Sequence, residues 1–166
     1  MATRPARTIL ITGCSSGIGH ACAHGLARRG WRVIASARKP ADVERLKSEG
    51  LTAVRLDLDD PELIASGLAE GLELSGGRLY ALFNNGAYGQ PGAVEDLSRE
   101  ALRAQLETNL LGWHDLTCRV IPVMRRQGFG RIVQNSSILG LIALPYRGAY
   151  VASKFALEGL TDTLRL

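Results

Sequence analysis

Short apolar blocks alternate with longer amphipathic stretches along this chain. Ile9-Leu10-Ile11 is long enough for a buried strand and is bounded by Thr8 and Thr12. Arg32 to Ser36 reads as a second strand, Ala53 to Leu58 as a third, Leu79 to Asn84 as a fourth and Arg131 to Asn135 as a fifth. Between these blocks the period is helical. Ile18, Cys22, Leu26 and Arg29 recur about one turn apart, and Gly30 is the expected stop. Asp42 to Glu49 has charged helical character, and Asp60-Pro61-Glu62 opens another helix with Asp60 as N-cap. Ser98-Arg99-Glu100 starts a long helical stretch to Gln127, interrupted near Asn109 and carrying Pro122 as a candidate kink. Gly148 to Leu166 is helical again.

Strands alternating with helices predict an α/β fold with a parallel sheet covered on both faces. Right-handed crossovers and a glycine turn after the first strand favour the strand order 3-2-1-4-5, a doubly wound, Rossmann-type arrangement. The length predicts one domain over residues 1–166. Two features of the chain's end go together. The last helix keeps its apolar pattern to the final residue, and the fifth strand would be an uncovered edge. We read this as a chain cut short rather than an edge covered by a partner.

The turn Gly13-Cys14-Ser15-Ser16-Gly17-Ile18-Gly19 joins the first strand to the first helix. Unpaired N–H groups and the helix dipole make such a helix start an anion site, and glycines let a phosphate approach the backbone. The spacing is neither the usual dinucleotide Gly-x-Gly-x-x-Gly nor a P-loop. The competing reading is a flexible loop with incidental glycines.

Composition narrows the classes. Hydrophobic residues make up 46% of the chain, enough for a real core and too many for a disordered segment. Met1 to Thr8 holds no long apolar stretch, so a soluble, cytoplasmic protein without a membrane span is expected. The net charge of +4 is mild, and the basic pairs Arg28-Arg29 and Arg125-Arg126 stand where cations suit helix ends. Aromatics are few, so no nucleic-acid face is expected. The odd count of cysteines, Cys14, Cys22 and Cys118, argues against a disulfide framework. Cys14 reads as a small packed side chain in preference to an exposed thiol. His20 and His24 are four apart but have no glutamate between them and no obvious third ligand, so no metal is expected.

The most informative spacing is Ser136-Ser137 followed by Tyr150-Val151-Ala152-Ser153-Lys154. Tyr150 and Lys154 share one helix face, and a cation one turn from a phenol stabilises its anion. Proton exchange with a substrate oxygen then becomes feasible at neutral pH. The pair alone could equally be an ordinary surface Tyr/Lys couple.

Four motifs in order resemble the short-chain dehydrogenases/reductases: Thr12-Gly13-x3-Gly17-Ile18-Gly19, Asn84-Asn85-Gly86-Ala87, Asn109, and Ser137 with Tyr150-x3-Lys154. The family usually reads Asn-Asn-Ala-Gly at the second motif; the last two residues are exchanged here. The resemblance implies hydride transfer between a nicotinamide cofactor and an alcohol/carbonyl pair. It implies that Tyr150 exchanges the proton, Lys154 assists it and binds the nicotinamide ribose, and Ser137 hydrogen-bonds the substrate oxygen. Asn109 would help hold a water linking Lys154 to solvent. Gly13, Ser15, Ser16, Gly17, Ile18 and Gly19 would carry the cofactor diphosphate, with Gly86 close by. Asn84 would lie beside the adenosine ribose, and Asp57 and Leu58 beside the adenine, although Asp57 also suits local capping.

Cofactor choice is made after the second strand, which ends Ser36-Ala37-Arg38-Lys39. An acidic residue there accepts ribose hydroxyls, whereas Arg38 suits a 2′-phosphate, so NADP(H) is expected over NAD(H). Leu141 to Pro145 would wall the pocket, implying a hydrophobic alcohol or carbonyl substrate. The resemblance further implies a homodimer or homotetramer built through Ala101 to Gln127 and Tyr150 to Leu166. It also implies that the family's C-terminal substrate-binding segment is lacking. Two alternatives stay open: a nucleotide-binding module without turnover, and an epimerase or dehydratase on the same fold.

Overall fold

The computed structural model describes residues 7–166; residues 1–6, most of the segment read above for a leader, lie outside the described residues. The five strands are β1 (Thr8–Ile11), β2 (Arg32–Ala37), β3 (Thr52–Arg55), β4 (Ala81–Asn84) and β5 (Arg131–Gln134). All pair in parallel, in the order β3-β2-β1-β4-β5 that the sequence predicts. The helices are α1 (Gly17–Ala27), α2 (Pro40–Ser48), α3 (Pro61–Leu74), α4 (Arg99–Leu106), α5 (Gly112–Gln127) and α6 (Gly148–Arg165). No helix among the described residues is long and apolar enough to cross a membrane.

Side chains of a strand alternate between faces, and here the alternation divides the core in two. Ile9, Ile11, Val33 and Ala35 pack with Ala23 of α1 and with Val43 and Leu46 of α2. Leu10, Ile34, Val54 and Leu82 pack with Ile64 and Leu68 of α3, Trp113, Leu116 and Val120 of α5, and Leu157 of α6. Trp113 is the largest fully buried side chain.

The interruption near Asn109 is a π-helical turn, Glu107–Leu111, between α4 and α5. The helix runs on through Pro122, so the irregularity belongs to the π-turn. Asp60 caps α3 as expected, accepting from the Glu62 and Leu63 amides at 2.9 and 3.1 Å.

One expectation needs correction, and the buried face of α1 a finer description. Ile18 is 59% exposed, Cys22 and Leu26 pack partly buried against the core, and the fully buried positions are Gly19, Ala23 and Gly25. The approach is too close for larger residues, since a Cβ on Gly19 would lie 2.3 Å from Gly13 O. β3 ends at Arg55, three residues early. Leu56 N still bonds Ala37 O at 3.1 Å, but Asp57 turns out of the sheet and accepts from the Asp59 amide. β5 is an outer strand, with Val133 half exposed.

Candidate active site

Chain growth reverses between β1 and β4, and in open parallel sheets ligands bind in the crevice beyond the strand ends at such a point. The loops there are laced together by side chains. Thr12 Oγ1 accepts from the Asn85 and Gly86 amides at 2.8 and 2.9 Å, and Asn85 Nδ2 donates to Thr12 O at 2.9 Å. Asn135 Nδ2, just past β5, donates to Asn85 Oδ1 at 2.9 Å. Gly13 takes a left-handed φ of 69°, and a Cβ on it would come within 2.5 Å of Gly86 Cα.

Ser16 is the N-cap of α1, but its side chain makes no capping bond, and no acidic residue stands in the first turn. These first-turn amides therefore have no protein anion as partner, the state suited to an anionic ligand. Arg45 of α2 anchors the turn from outside, donating from Nη2 to Ser15 O at 2.6 Å. Cys14, expected to be packed, is fully buried; its thiol donates to Ile11 O at 3.2 Å, and burial pushes its pKa up to about 12.

Beside this turn lies a cleft of about 470 Å³, lined among others by Gly13, Ser15, Arg38, Asp57, Leu58 and Gly86. A second cavity of about 350 Å³ is lined by Ala87, Tyr88, Gly89, Leu139, Arg147 and Tyr150. Ala87 and Tyr88 line both, so one groove runs from Arg38 to Tyr150. Arg55 joins Arg38 at the far end, its Nε donating to Arg38 O at 3.3 Å. The exposed segment Leu141 to Pro145 lines neither cavity; Leu139 takes that place. A larger open groove of about 1020 Å³ runs along β5, lined by Ser136 and Arg125 but by none of the residues expected to bind cofactor or substrate.

α6 carries Tyr150, which lines the second cavity, and Lys154, which lies buried behind it. Lys154 is 1% exposed. Its Nζ donates to Asn135 O at 2.8 Å and lies 5.5 Å from the Tyr150 ring centroid. Burial brings the Lys154 pKa down to about 8, with Glu158 opposing the shift. Tyr150 lays its ring against Gly89, where an added Cβ would be 3.4 Å away. Ser137 caps the 3₁₀ turn Ile138–Gly140 by accepting from the Leu139 amide at 3.1 Å, which leaves its own O–H free to donate.

Asn109 is fully buried and spends its amide on the wall of the second cavity. It donates to Tyr88 O at 2.7 Å and accepts from Tyr88 N at 3.1 Å, with a longer contact to Ser153 Oγ. Gln105, one turn earlier, does the same for the next residues, accepting from Gln90 N and donating to Tyr88 O. The sequence reading passed over Gln105, although a polar pair one turn apart on a buried helix face is a detectable signal.

The structure does not bring the Asn84 side chain to the groove. It is fully buried, donating to Thr117 Oγ1 at 3.1 Å and Gln134 Oε1 at 2.9 Å, so it ties β4 to α5 and β5 instead of reaching a ribose. Trp113, fully buried on α5, donates from Nε1 to Gly86 O at 2.7 Å. No local motif marks that bond in the sequence, because it spans α5 and the loop after β4.

The short chain dehydrogenase family model matches residues 7–166. Over 160 residues the chain is 48% identical to uncharacterized oxidoreductase YbbO of Escherichia coli K12, covering 96% of this chain and 60% of that one. It thus spans about three fifths of that relative's length. The F189W actinorhodin polyketide ketoreductase with NADPH superposes with a TM-score of 0.89 at 31% identity, over 99% of this chain and 66% of that chain. A short chain dehydrogenase/reductase from Burkholderia phymatum, in complex with NAD, gives 0.89 at 28% identity, over 96% and 59%.

Proposed function

The chain belongs to the short-chain dehydrogenase/reductase family, and from that premise we propose that its domain interconverts an alcohol with the corresponding ketone or aldehyde. The cofactor is nicotinamide-based, NADP(H) in preference to NAD(H), and supplies or accepts the hydride when bound. The residues present fit such a group. Gly13 leaves its backbone bare against Gly86, and beside Gly17 an added Cβ would meet nothing within 4 Å. Gly13, Ser15, Ser16, Gly17, Ile18 and Gly19 would hold the diphosphate, Asp57 and Leu58 the adenine, and Arg38 a 2′-phosphate.

At the other end, Tyr150 gives its phenolic proton to the substrate oxygen during reduction and recovers it during oxidation. Lys154 holds a positive charge near that phenol and binds the nicotinamide ribose. Ser137 donates to the substrate oxygen, its hydroxyl oriented by the Leu139 amide. Asn109 is a positioning residue, since its amide is committed to Tyr88. Ala87, Tyr88 and Leu139, which line the second cavity with Tyr150, support a hydrophobic substrate. We extend the reading to a homodimer or homotetramer through α5 and α6, for which a monomer in light scattering of the complete protein is the contrary result.

The observation that carries this reading is the buried Lys154 ammonium beside the Tyr150 ring, at the end of a groove that begins on a glycine turn. The test is Tyr150→Phe in the complete protein. NADPH oxidation with a panel of hydrophobic aldehydes and ketones should fall by about 10²–10⁴-fold while NADPH still binds. Undiminished turnover would overturn the assignment.

A further inference from the structure

We propose that His20, His24 and Glu49 form a binding site for a divalent transition-metal ion of the zinc, nickel or copper class. The two histidines stand one turn apart on α1, and Glu49 caps the end of α2, so the site bridges two helices packed on the same face of the sheet. Both imidazole Nε2 atoms converge on one carboxylate oxygen, Glu49 Oε2, at 2.8 and 2.9 Å. All three ligand atoms lie within 4.8 Å of one another.

Bonds of about 2.0–2.1 Å to a zinc ion set neighbouring ligand atoms about 3.3 Å apart on a tetrahedral face. The two N···O separations reach it by opening a few tenths of an ångström. The separation of the two imidazole nitrogens, within 4.8 Å, is set by small rotations of the rings. An ion would replace two N–H···O bonds to one oxygen with three bonds to one centre, and solvent completes the coordination because the histidines are only half-buried. Imidazole with carboxylate suits zinc, nickel and copper, whereas magnesium favours oxygen ligands alone. The second carboxylate oxygen is already held: Arg45 Nη1 donates to Glu49 Oε1 at 2.7 Å, and Asp42 also contacts Arg45. This fixes the carboxylate in single-oxygen presentation, as outer partners of metal ligands do.

Zinc chloride is titrated into the complete, tag-free protein by calorimetry, with nickel and magnesium in parallel. One equivalent of zinc should bind with micromolar affinity, nickel should compete and magnesium should not. His24→Ala and Glu49→Gln should each weaken zinc at least about tenfold. Gln retains a hydrogen-bond acceptor for the histidines, so Glu49→Gln tests ligation even where an alanine variant folds poorly. His114→Ala removes the histidine beside Cys118 on α5, the competing imidazole–thiol pair, and should leave zinc binding unchanged. Absence of saturable zinc binding, affinity unmoved by Glu49→Gln, or loss with His114→Ala overturns the proposal.

Discussion

The Lys154 ammonium stands 4.3 Å from the centroid of the Trp113 ring. The same indole donates to Gly86 O, so one buried side chain supports both the cation of α6 and the loop that meets the glycine turn. Its aromatic face attracts the cation, and its N–H answers a carbonyl.

Trp113→Phe separates those two jobs, because it keeps a ring under Lys154 and removes the donor to Gly86 O. Leaving this part-buried carbonyl without its donor costs up to about 1–3 kcal/mol, and a loss within that range is expected in urea unfolding. Weaker NADPH binding should accompany it, since Gly86 abuts Gly13. A variant as stable as the parent would show that Gly86 O finds another donor.

Burial of Lys154 also has a pH signature. The unfolded chain holds this proton up to the ordinary lysine value of 10.5, the folded chain only to about 8. Between those values the unfolded state binds more protons, so this group's contribution to stability rises with pH. Lys154→Met lacks the titration. Across that window the parent should therefore gain on the variant, by at most about 1.4 kcal/mol per pH unit. Urea unfolding of both proteins at pH 7 to 10 checks this, and a constant difference contradicts it.

Those two predictions rest on contacts the sequence hides, whereas the frame around them was legible. Short apolar strand blocks, helical spacing and the glycine turn give the sheet order because each is a local signal. Asp60 and Pro61 likewise mark a helix start in adjacent residues. What stayed hidden depends on how elements pack. The buried face of α1 is set at its start by how closely the helix approaches the glycine turn and Asn85, so Gly19 is buried and Ile18 is not. Glu49 meets His20 and His24 only because α1 and α2 lie side by side, 25 to 29 residues apart in sequence.

Asn84 illustrates the limit of carrying a role over by motif. Its side chain is sealed between Thr117 and Gln134, so Asn84→Ala should destabilise the fold while leaving NADPH affinity within about twofold. Thermal unfolding and fluorescence titration of one preparation decide it. A large loss of affinity in a stably folded variant would return Asn84 to the cofactor site.

Gly13 and Gly17 both have positive φ, 69° and 58°, yet their surroundings differ. At Gly17 an added Cβ enters open space, so Gly17→Ala pays only the left-handed backbone penalty, about 1–2 kcal/mol. At Gly13 the Cβ would also strike backbone, 2.5 Å from Gly86 Cα, and neither loop can yield without breaking the Thr12 bonds. Gly13→Ala should therefore be clearly the more destabilised in urea unfolding. Equal loss at both sites would mean that the two loops move apart freely.

The groove's far end gives the last prediction. Arg38 lines the cleft, Arg55 bonds its carbonyl, and Lys39 follows it, so positive charge gathers where the chain leaves β2. A 2′-phosphate there would gain charge-assisted bonds from the Arg38 guanidinium. NADH has no such phosphate and gains nothing from Arg38. Arg38→Ala should thus weaken NADPH by about tenfold or more, consistent with loss of a hydrogen bond to a charged group, and leave NADH nearly unchanged. Raising the salt concentration should narrow the difference between the two cofactors in the parent, because the exposed part of this attraction is screened. Titrating both cofactors against parent and variant at two ionic strengths separates the phosphate contact from general charge. Equal affinities in the parent, or an unchanged NADPH affinity in the variant, would remove Arg38 from cofactor choice and leave NAD(H) as the better candidate.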